Sequence, residues 1–519
     1  MTMAKPLHIT KSSFLLGRQC PKRVWLHAQG VEEPKPERPE DPFPAEEWEN
    51  VEQLAEQLFR GCRRVTGHGS EREANTRADM VHGTVAQARF TAGDVLAVVD
   101  ILERRPEGWF LWEVKASTAD AQKPEVKPLF DWDLAFQWHV LEAAGVAVRG
   151  AGVVMLRKGY VRGEVAPGAA ELLLLIDRTA EIRLLRPQVA VQLERLRAVA
   201  AGDEPDEWPR SRCSAYRDAA NGDRPSDCGH LRATGRCGVS LPVTWAGHLP
   251  GLRGKLEARV HERPNRDLRD LPLDDDDWKW SEVQRRVIEA TKSGGVFVDA
   301  AALAAGLQEI QWPVAYVDFE FDTQAAIPRW PGYRAYDSIP FQWAMCVHER
   351  PDAQLGTTKS FLHELATDPR QAFAQELLSA LPATGSIVVH HAPAEKTVMK
   401  RLAECLGGEV AVRLAGVIAR LCDTEKITKA GYYHPDQLGS WSIKSLAPCL
   451  TGRGYEDLEI QHGMAAVVAW RRLLRTAPGS AERDELRGWL LDYCGRDAVL
   501  MHEVLQRLRA LAGGGGQTL

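Results

Sequence analysis

The sequence predicts an α/β protein of two domains and a connector, each domain a sheet flanked by helices. Three observations lead there. The chain has 519 residues, too many for one hydrophobic core. Apolar runs with the two-residue period of strands, such as "DVLAVVDIL" and "WPVAYVDFEF", alternate with longer stretches of helical character such as "AEIRLLRPQVAVQLERLRAVA". Past Trp312 strands come first and then alternate with helices, the pattern of a mixed sheet.

In chain order, residues 1–240 form the first domain. A polar helical stretch (Glu46 to Phe59) precedes paired strands around Val95 to Ser117, joined by the turn "RPEG". A helix near Asp133 to Ala143, a strand from Gly152 to Leu156 and a Leu- and Arg-rich helix from Ala180 to Ala200 follow, and a cysteine-bearing loop closes the domain. Residues 241–311, with "DLPLDDDDWKW" and the short helical "SEVQRRVIEATKSG", read as a connector. Residues 312–512 form the second domain, with strands at Ala315 to Phe321, Pro340 to Val347 and Lys359 to Leu362, a helix at Arg370 to Ala380, the strand "SIVVH" and further helices. Residues 513–519, with "GGGG", read as a flexible tail.

A formal charge of -6 and a pI near 6.2 exclude a polybasic coat, so contact with nucleic acid must use local basic patches such as "RGCRRVTGHGSEREANTR" and "LRGKLEARVHERPNR". The start "MTMAKPLHITKSSF" has no apolar leader and no run is long enough to span a membrane, so the expected location is the cytoplasm, with no membrane partner. Ten cysteines in so long a chain do not read as a disulfide framework; thiols free or on metal are expected.

Two carboxylates inside an apolar strand demand either a buried ion pair or chemistry. Asp318 and Glu320, two residues apart, point to one face while Val317, Phe319 and Phe321 point to the other. Two oxygen donors on one rigid face are half a Mg²⁺ or Mn²⁺ site, and other elements must complete it. Glu395 follows the strand "SIVVHH" on a helix that Pro393 opens, and Tyr493 and Asp497 share one face of the last helix. This ordered set resembles the DEDD exonucleases of the ribonuclease H-like fold, in the subgroup with Tyr. The resemblance implies two divalent metals on the carboxylates, a Tyr that orients water, and 3′–5′ exonuclease action. The sequence departs at Glu395, where the family usually has Asp; Asp423 in "ARLCDTEK" is either the substitute ligand or a structural neighbour. "VDFEFDTQAAIPRWPGYRAYDSIPFQWAMCVHE", "GYYHPDQLGSWSIKSLAPCL" and "LDYCGRDAVLMHEVL" also resemble the bacterial domain-of-unknown-function (DUF) 2779 family, over roughly the last two hundred residues.

In the first domain Asp100 ends the apolar part of one strand, while Glu113 and Lys115 share a face of the next. Such a pattern also recurs by chance in exposed hairpins, where a cross-strand charge pair explains it; the helix that follows, "FDWDLAFQWHVLEAAG", favours a site. The spacing resembles the PD-(D/E)XK nucleases of the restriction-endonuclease-like fold. That likeness implies Mg²⁺ on Asp100 and Glu113, water positioned or activated by Lys115, and substrate contact from Gln137, which resembles the Gln of the Q-x3-Y motif in the RecB-like branch. Leu141 stands where that motif has Tyr. Glu49, Glu52, His82 and Gln87 are all conceivable upstream ligands.

Cys20 near the start, with Cys213, Cys228 and Cys237 in polar, Gly-rich loops after the domain, resembles the iron–sulfur RecB-like nucleases, in which a [4Fe-4S] cluster staples the domain ends together. Zn²⁺ on the same thiolates is the rival, and His230 is an alternative ligand. Cys346, Cys405, Cys422, Cys449 and Cys494 read as core, and Cys62 has no assigned role. The expectation is a nuclease with two metal-dependent sites, acting on DNA rather than RNA. The alternatives are a nucleic-acid-binding scaffold with degenerate sites, or an RNA exonuclease using the second domain alone.

Overall fold

A computed structural model describes residues 8–31, 42–205, 243–263 and 267–513. Contacts divide it into two units, Met1–Trp208 with Gln324–Asp337, and Pro209–Thr323 with Ser338–Leu519. Both are mixed α/β structures.

The strands of the first unit are β1 (Ile9–Thr10), β2 (Arg63–Arg64), β3 (Val85–Ala92), β4 (Val95–Arg105), β5 (Gly108–Ala119), β6 (Val148–Arg157) and β7 (Leu173–Asp177). They form one mixed sheet in the order β2-β3-β4-β5-β6-β7, with β1 pairing parallel to β4. Tight turns join β3, β4 and β5 as an antiparallel meander. Gly108 sits at φ 142, where a side chain would meet the Ala147 carbonyl. β5 and β6 run parallel and so need a crossover, which helix Pro128–Ala143 supplies. That helix buries Leu134, Phe136, Trp138 and Leu141 on one face of the sheet, and helix Pro42–Glu56 brings Val51 and Ala55 to the other. Ala326, from the stretch 324–337, joins the second of these cores. Helix Gly69–Met80, β3 and β7 are elements that the sequence reading did not anticipate.

The second unit has β8 (Phe297–Val298), β9 (Val314–Asp322), β10 (Ile339–His348), β11 (Lys359–Leu362), β12 (Ser386–Val389), β13 (Leu421–Asp423) and β14 (Tyr432–Tyr433). Its main sheet runs β11-β10-β9-β12-β13, antiparallel on the β10 side of β9 and parallel on the β12 side. Val317 and Phe319 of β9 pack with Phe373, Leu377, Val398 and Met399 on one face. The other face receives the long helix Ala481–Ala512, which comes close because Ala344, Cys346, Cys494 and Ala498 are small. Residues 243–311 do more than connect: Leu249, Trp278, Val287 and Ile288 build a core with Tyr433 and Trp441. Among the described residues no helix is long and apolar enough to cross a membrane.

Candidate metal centre

Alternation along β9 sends Ala315, Val317 and Phe319 into the core and puts Asp318, Glu320 and Asp322 on the opposite face. These three carboxylates have different fates. Asp322 is met by Arg471 in a bidentate pair, Nε to Oδ2 at 2.7 Å and Nη2 to Oδ1 at 3.0 Å, with both side chains buried. Asp318 and Glu320 instead meet Asp497 from helix Ala481–Ala512, and one oxygen from each of the three lies within 4.8 Å of the others. Across the sheet, Ala344 is the partner of Asp318, so no bulky side chain fills the space beside it.

Like charges this close repel. The Asp318 carboxyl is enclosed, although the residue keeps some exposed surface, and it is held well above the usual carboxylate range by burial and by Asp497, Glu320 and Glu395. Two neutral groups are among the neighbours of these acids. The Cys494 thiol lies 3.4 Å from Asp318 Oδ2, and the Tyr455 hydroxyl donates to Asp497 Oδ1.

Glu395 sits in the first turn of helix Pro393–Leu406 and is buried, with Oε2 lacking a hydrogen-bond partner. Burial, with Asp423 and Asp497 nearby, pushes its pKa up to about 8. An orphaned carboxylate oxygen beside three converging ones is a set of hard oxygen donors, which fits Mg²⁺ or Mn²⁺. Glu395 itself is outside the trio whose oxygens converge.

Asp423 is occupied otherwise. It caps helix Thr424–Gly431, accepting from the Glu425 N–H at 3.0 Å, and also accepts from the N–H groups of His391 at 3.1 Å and Ala392 at 3.2 Å. It fixes the turn before Glu395. Tyr493 is buried one turn before Asp497, its ring centroid 6.1 Å from that of Tyr455. Lys444 Nζ stands 5.5 Å from the Tyr493 ring and 5.7 Å from the Tyr455 ring. Sequence reasoning missed Tyr455 and Lys444: Tyr455 lies 42 residues from Asp497, and no local spacing links them. On the outer side of the Glu395 helix, the exposed Lys396, Lys400 and Lys426 line a groove of about 610 Å³.

The first unit gathers a second constellation. Pairing of Ile101 with Trp112 and of Ala86 with Ile101 continues to put Gln87, Asp100 and Glu113 in one row across β3, β4 and β5. Gln87 takes φ 57, unusual for a residue with a side chain, and its amide donates to Glu52 at 2.8 Å. Of the four conceivable upstream ligands, Glu52 and Gln87 therefore come to this row. The Glu52 carboxyl is raised by burial, and it adds to the elevation of Asp100, which burial and Glu113 drive. Asp100 accepts from the Val114 N–H at 2.8 Å.

Glu113 is heavily engaged. Lys115 and Lys11 reach its Oε1, and Gln137 donates to Oε2 at 2.6 Å. Its carboxyl is held below the usual range despite burial, because the two ammonium groups stabilise the anion. Asp133 joins through Lys115 at 2.8 Å and Gln137 at 2.7 Å, with its pKa raised to about 6 by burial and by Glu113. Asp133 lies i−4 from Gln137 on the helix, so helical spacing could have found it; nothing in the sequence singled out Lys11. Leu141, where the Q-x3-Y pattern has Tyr, is fully buried in the core.

Cys20 ends helix Lys11–Gln19 and precedes helix Pro21–Ala28. Trp25 of the second helix donates to the Gly202 carbonyl at 3.0 Å, and Lys22 pairs with Glu204 at 2.7 Å. Cys213, Cys228, Cys237 and His230 lie outside the described residues. Cys346 and Cys494 are buried as expected of core residues, whereas Cys405, Cys422 and Cys449 are half-buried.

Residues 315–442 match the model of the family described as Domain of unknown function (DUF2779). The matched stretch contains Asp318, Glu320, Glu395 and Asp423 and stops before Tyr493 and Asp497. No curated protein matches the chain.

Proposed function

We propose that this protein is a metal-dependent nuclease whose second unit removes nucleotides from the 3′ end of a strand, DNA in preference to RNA. The observation that carries the reading is the convergence of Asp318, Glu320 and Asp497 within 4.8 Å, on a strand and a helix far apart in sequence. Buried acids that repel one another lower stability unless a cation joins them, so their convergence points to use.

When bound, Mg²⁺ or Mn²⁺ supplies Lewis acidity toward a phosphoryl oxygen and a water of lowered pKa. Asp318, Glu320 and Asp497 would hold it, with Glu395 completing the set. Tyr455 fixes the rotamer of Asp497, and Arg471 keeps Asp322 out of the group by neutralising it. Tyr493, in the helix turn before Asp497, is the phenol that the DEDD resemblance assigns to orienting water. Lys396, Lys400 and Lys426 offer positive charge along the groove for strand phosphates. The mixed sheet flanked by helices is consistent with the ribonuclease H-like reading, and the β4–β5 hairpin followed by a crossover helix with the PD-(D/E)XK reading.

In the first unit the proposed nuclease residues are Asp100, Glu113 and Lys115, with Gln137 beside them. The contacts Trp25 to Gly202 and Lys22 to Glu204 tie the Cys20 helices to the chain just before Cys213, which supports the staple reading of the four thiols. Iron or zinc content of freshly purified protein separates a [4Fe-4S] cluster from Zn²⁺.

The test uses 5′-labelled DNA and RNA strands with Mg²⁺, Mn²⁺ or chelator. Asp318→Asn and Asp497→Asn should each slow stepwise 3′ shortening by roughly 100-fold or more, since each removes a metal ligand. Wild-type digestion by both folded variants overturns the reading. The engagement of Glu113 by two lysines favours a second reading, in which the first unit binds nucleic acid without cutting it. Cutting that survives Asp318→Asn and disappears with Lys115→Ala excludes that alternative; absence of surviving cutting supports it.

A further inference from the structure

The acidic centre of the first unit already contains a cation from an element remote in sequence. Glu113 Oε1 accepts from Lys11 Nζ at 2.6 Å and from Lys115 Nζ at 2.7 Å. Lys11 Nζ also lies 3.8 Å from Asp133 Oδ2, where Lys115 is bound at 2.8 Å. Lys115 belongs to the same strand as Glu113, so its presence follows from the strand. Lys11 does not: it opens helix Lys11–Gln19 just after β1, which pairs with β4 through Ile9 to Val95 and Thr10 to Leu96.

That helix is anchored. Phe14 is fully buried and its ring stacks on Phe136 at 4.8 Å, while the Arg18 guanidinium lies over Trp132 at 3.2 Å. The Lys11 side chain is 28% exposed, held in place rather than free on the surface. Gln137 takes the other Glu113 oxygen, and the Val114 N–H takes one from Asp100.

Mg²⁺ bonds to carboxylate oxygen at about 2.0–2.1 Å. An ammonium 2.6 Å from that oxygen, beside the second at 2.7 Å, takes up the approach to it and repels a divalent ion. Accordingly, among the described residues three acidic ligand atoms converge in the second unit and not here. We infer that Lys11 is the resident counter-ion of the first unit's acidic centre, standing where a divalent cation would bind Glu113, so that such a cation enters as Lys11 withdraws.

The inference concerns ion occupancy and is independent of whether the protein cuts nucleic acid. It is tested on the full chain carrying Asp318→Asn and Asp497→Asn, which remove the metal ligands of the second unit. Free Mn²⁺ is followed by its electron paramagnetic resonance signal. Adding Lys11→Met should create, or tighten by about tenfold or more, one Mn²⁺ site, because a unit charge beside the ion is gone. Adding Glu113→Gln to that protein should abolish the gain, and Lys11→Arg should not produce it. Should Lys11→Met lose its cooperative melt, Lys11→Gln replaces it. A folded, charge-free Lys11 variant that binds Mn²⁺ no more tightly than its parent overturns the inference.

Discussion

Replacing Asp318 by Asn should stabilise the metal-free protein while removing its capacity to hold metal. Two like-charged neighbours lie within 4.8 Å of Asp318, and at an effective dielectric near 20 each pair costs about 3.5 kcal/mol. Ionising Asp318 beside both would thus cost about 7 kcal/mol. Holding Asp318 protonated at pH 7 costs only about 4 kcal/mol, because an ordinary Asp titrates about three pH units lower and each is worth about 1.4 kcal/mol. Protonation is cheaper and sets the ceiling. The native state then binds a proton that the unfolded state has released, so stability falls as pH climbs above the ordinary carboxylate range. Asn carries no charge and escapes this cost. In chelator at pH 7 the variant should gain up to about 4 kcal/mol, and near pH 3 it should match the wild type. Urea titration read by hydrogen exchange of the β9 amides isolates the effect in the second unit. With Mn²⁺ at about a hundred times its dissociation constant, the wild type should recover roughly 2.7 kcal/mol and the variant nothing. Equal or lower stability of the variant in chelator at pH 7 would refute the mutual repulsion on which the metal centre is argued.

Two further outcomes follow from neighbouring groups. Arg471→Met should cost about 3–5 kcal/mol by stranding the buried Asp322 charge, and adding Asp322→Asn should restore most of it, as chemical denaturation of the two variants will show. Glu395, with its pKa raised to about 8, binds a proton in the native state between roughly pH 4.5 and 8, so metal-free stability should fall through that window by up to about 5 kcal/mol. Glu395→Gln should flatten that profile; an unchanged slope would place the titration elsewhere.

The parts of the second site that were legible in the sequence are those written in local periodicity. Asp318 and Glu320 share a face because strands alternate, and Tyr493 and Asp497 share one because helices repeat near four residues. Helix Arg370–Ala380 and strand β11 fall where their patterns put them. What escaped depends on tertiary placement. Tyr455 reaches Asp497 from a loop, Arg471 reaches Asp322 from another helix, and Lys11 reaches Glu113 from the far end of its unit. Residues 243–311 were illegible for a related reason: their Trp and Leu side chains find a core only with Tyr433 and Trp441, which come much later in the chain. The stretch 324–337 interrupts the second unit's run between β9 and β10, and its Ala326 packs in a core of the first.

Counter-charge, rather than the carboxylate pattern, separates the roles of these acids. Asp322 continues the alternation of Asp318 and Glu320, and a strand reading alone would assign all three to one function. Arg471 meets Asp322 in a buried bidentate pair, with both hydrogen-bonding edges matched. Asp318 and Asp497 receive a thiol and a phenol, which orient the carboxyls, and a divalent cation would displace the proton that mutual repulsion keeps on Asp318. Glu113 lies between these cases, since its ammonium partners cancel the charge but sit on flexible stems that can leave. A strand carboxylate is committed to structure when a rigid guanidinium meets it, is open to metal when other acids converge on it, and is conditional when lysines meet it. On that reasoning the second unit should bind a divalent ion at once, and the first only after Lys11 is displaced.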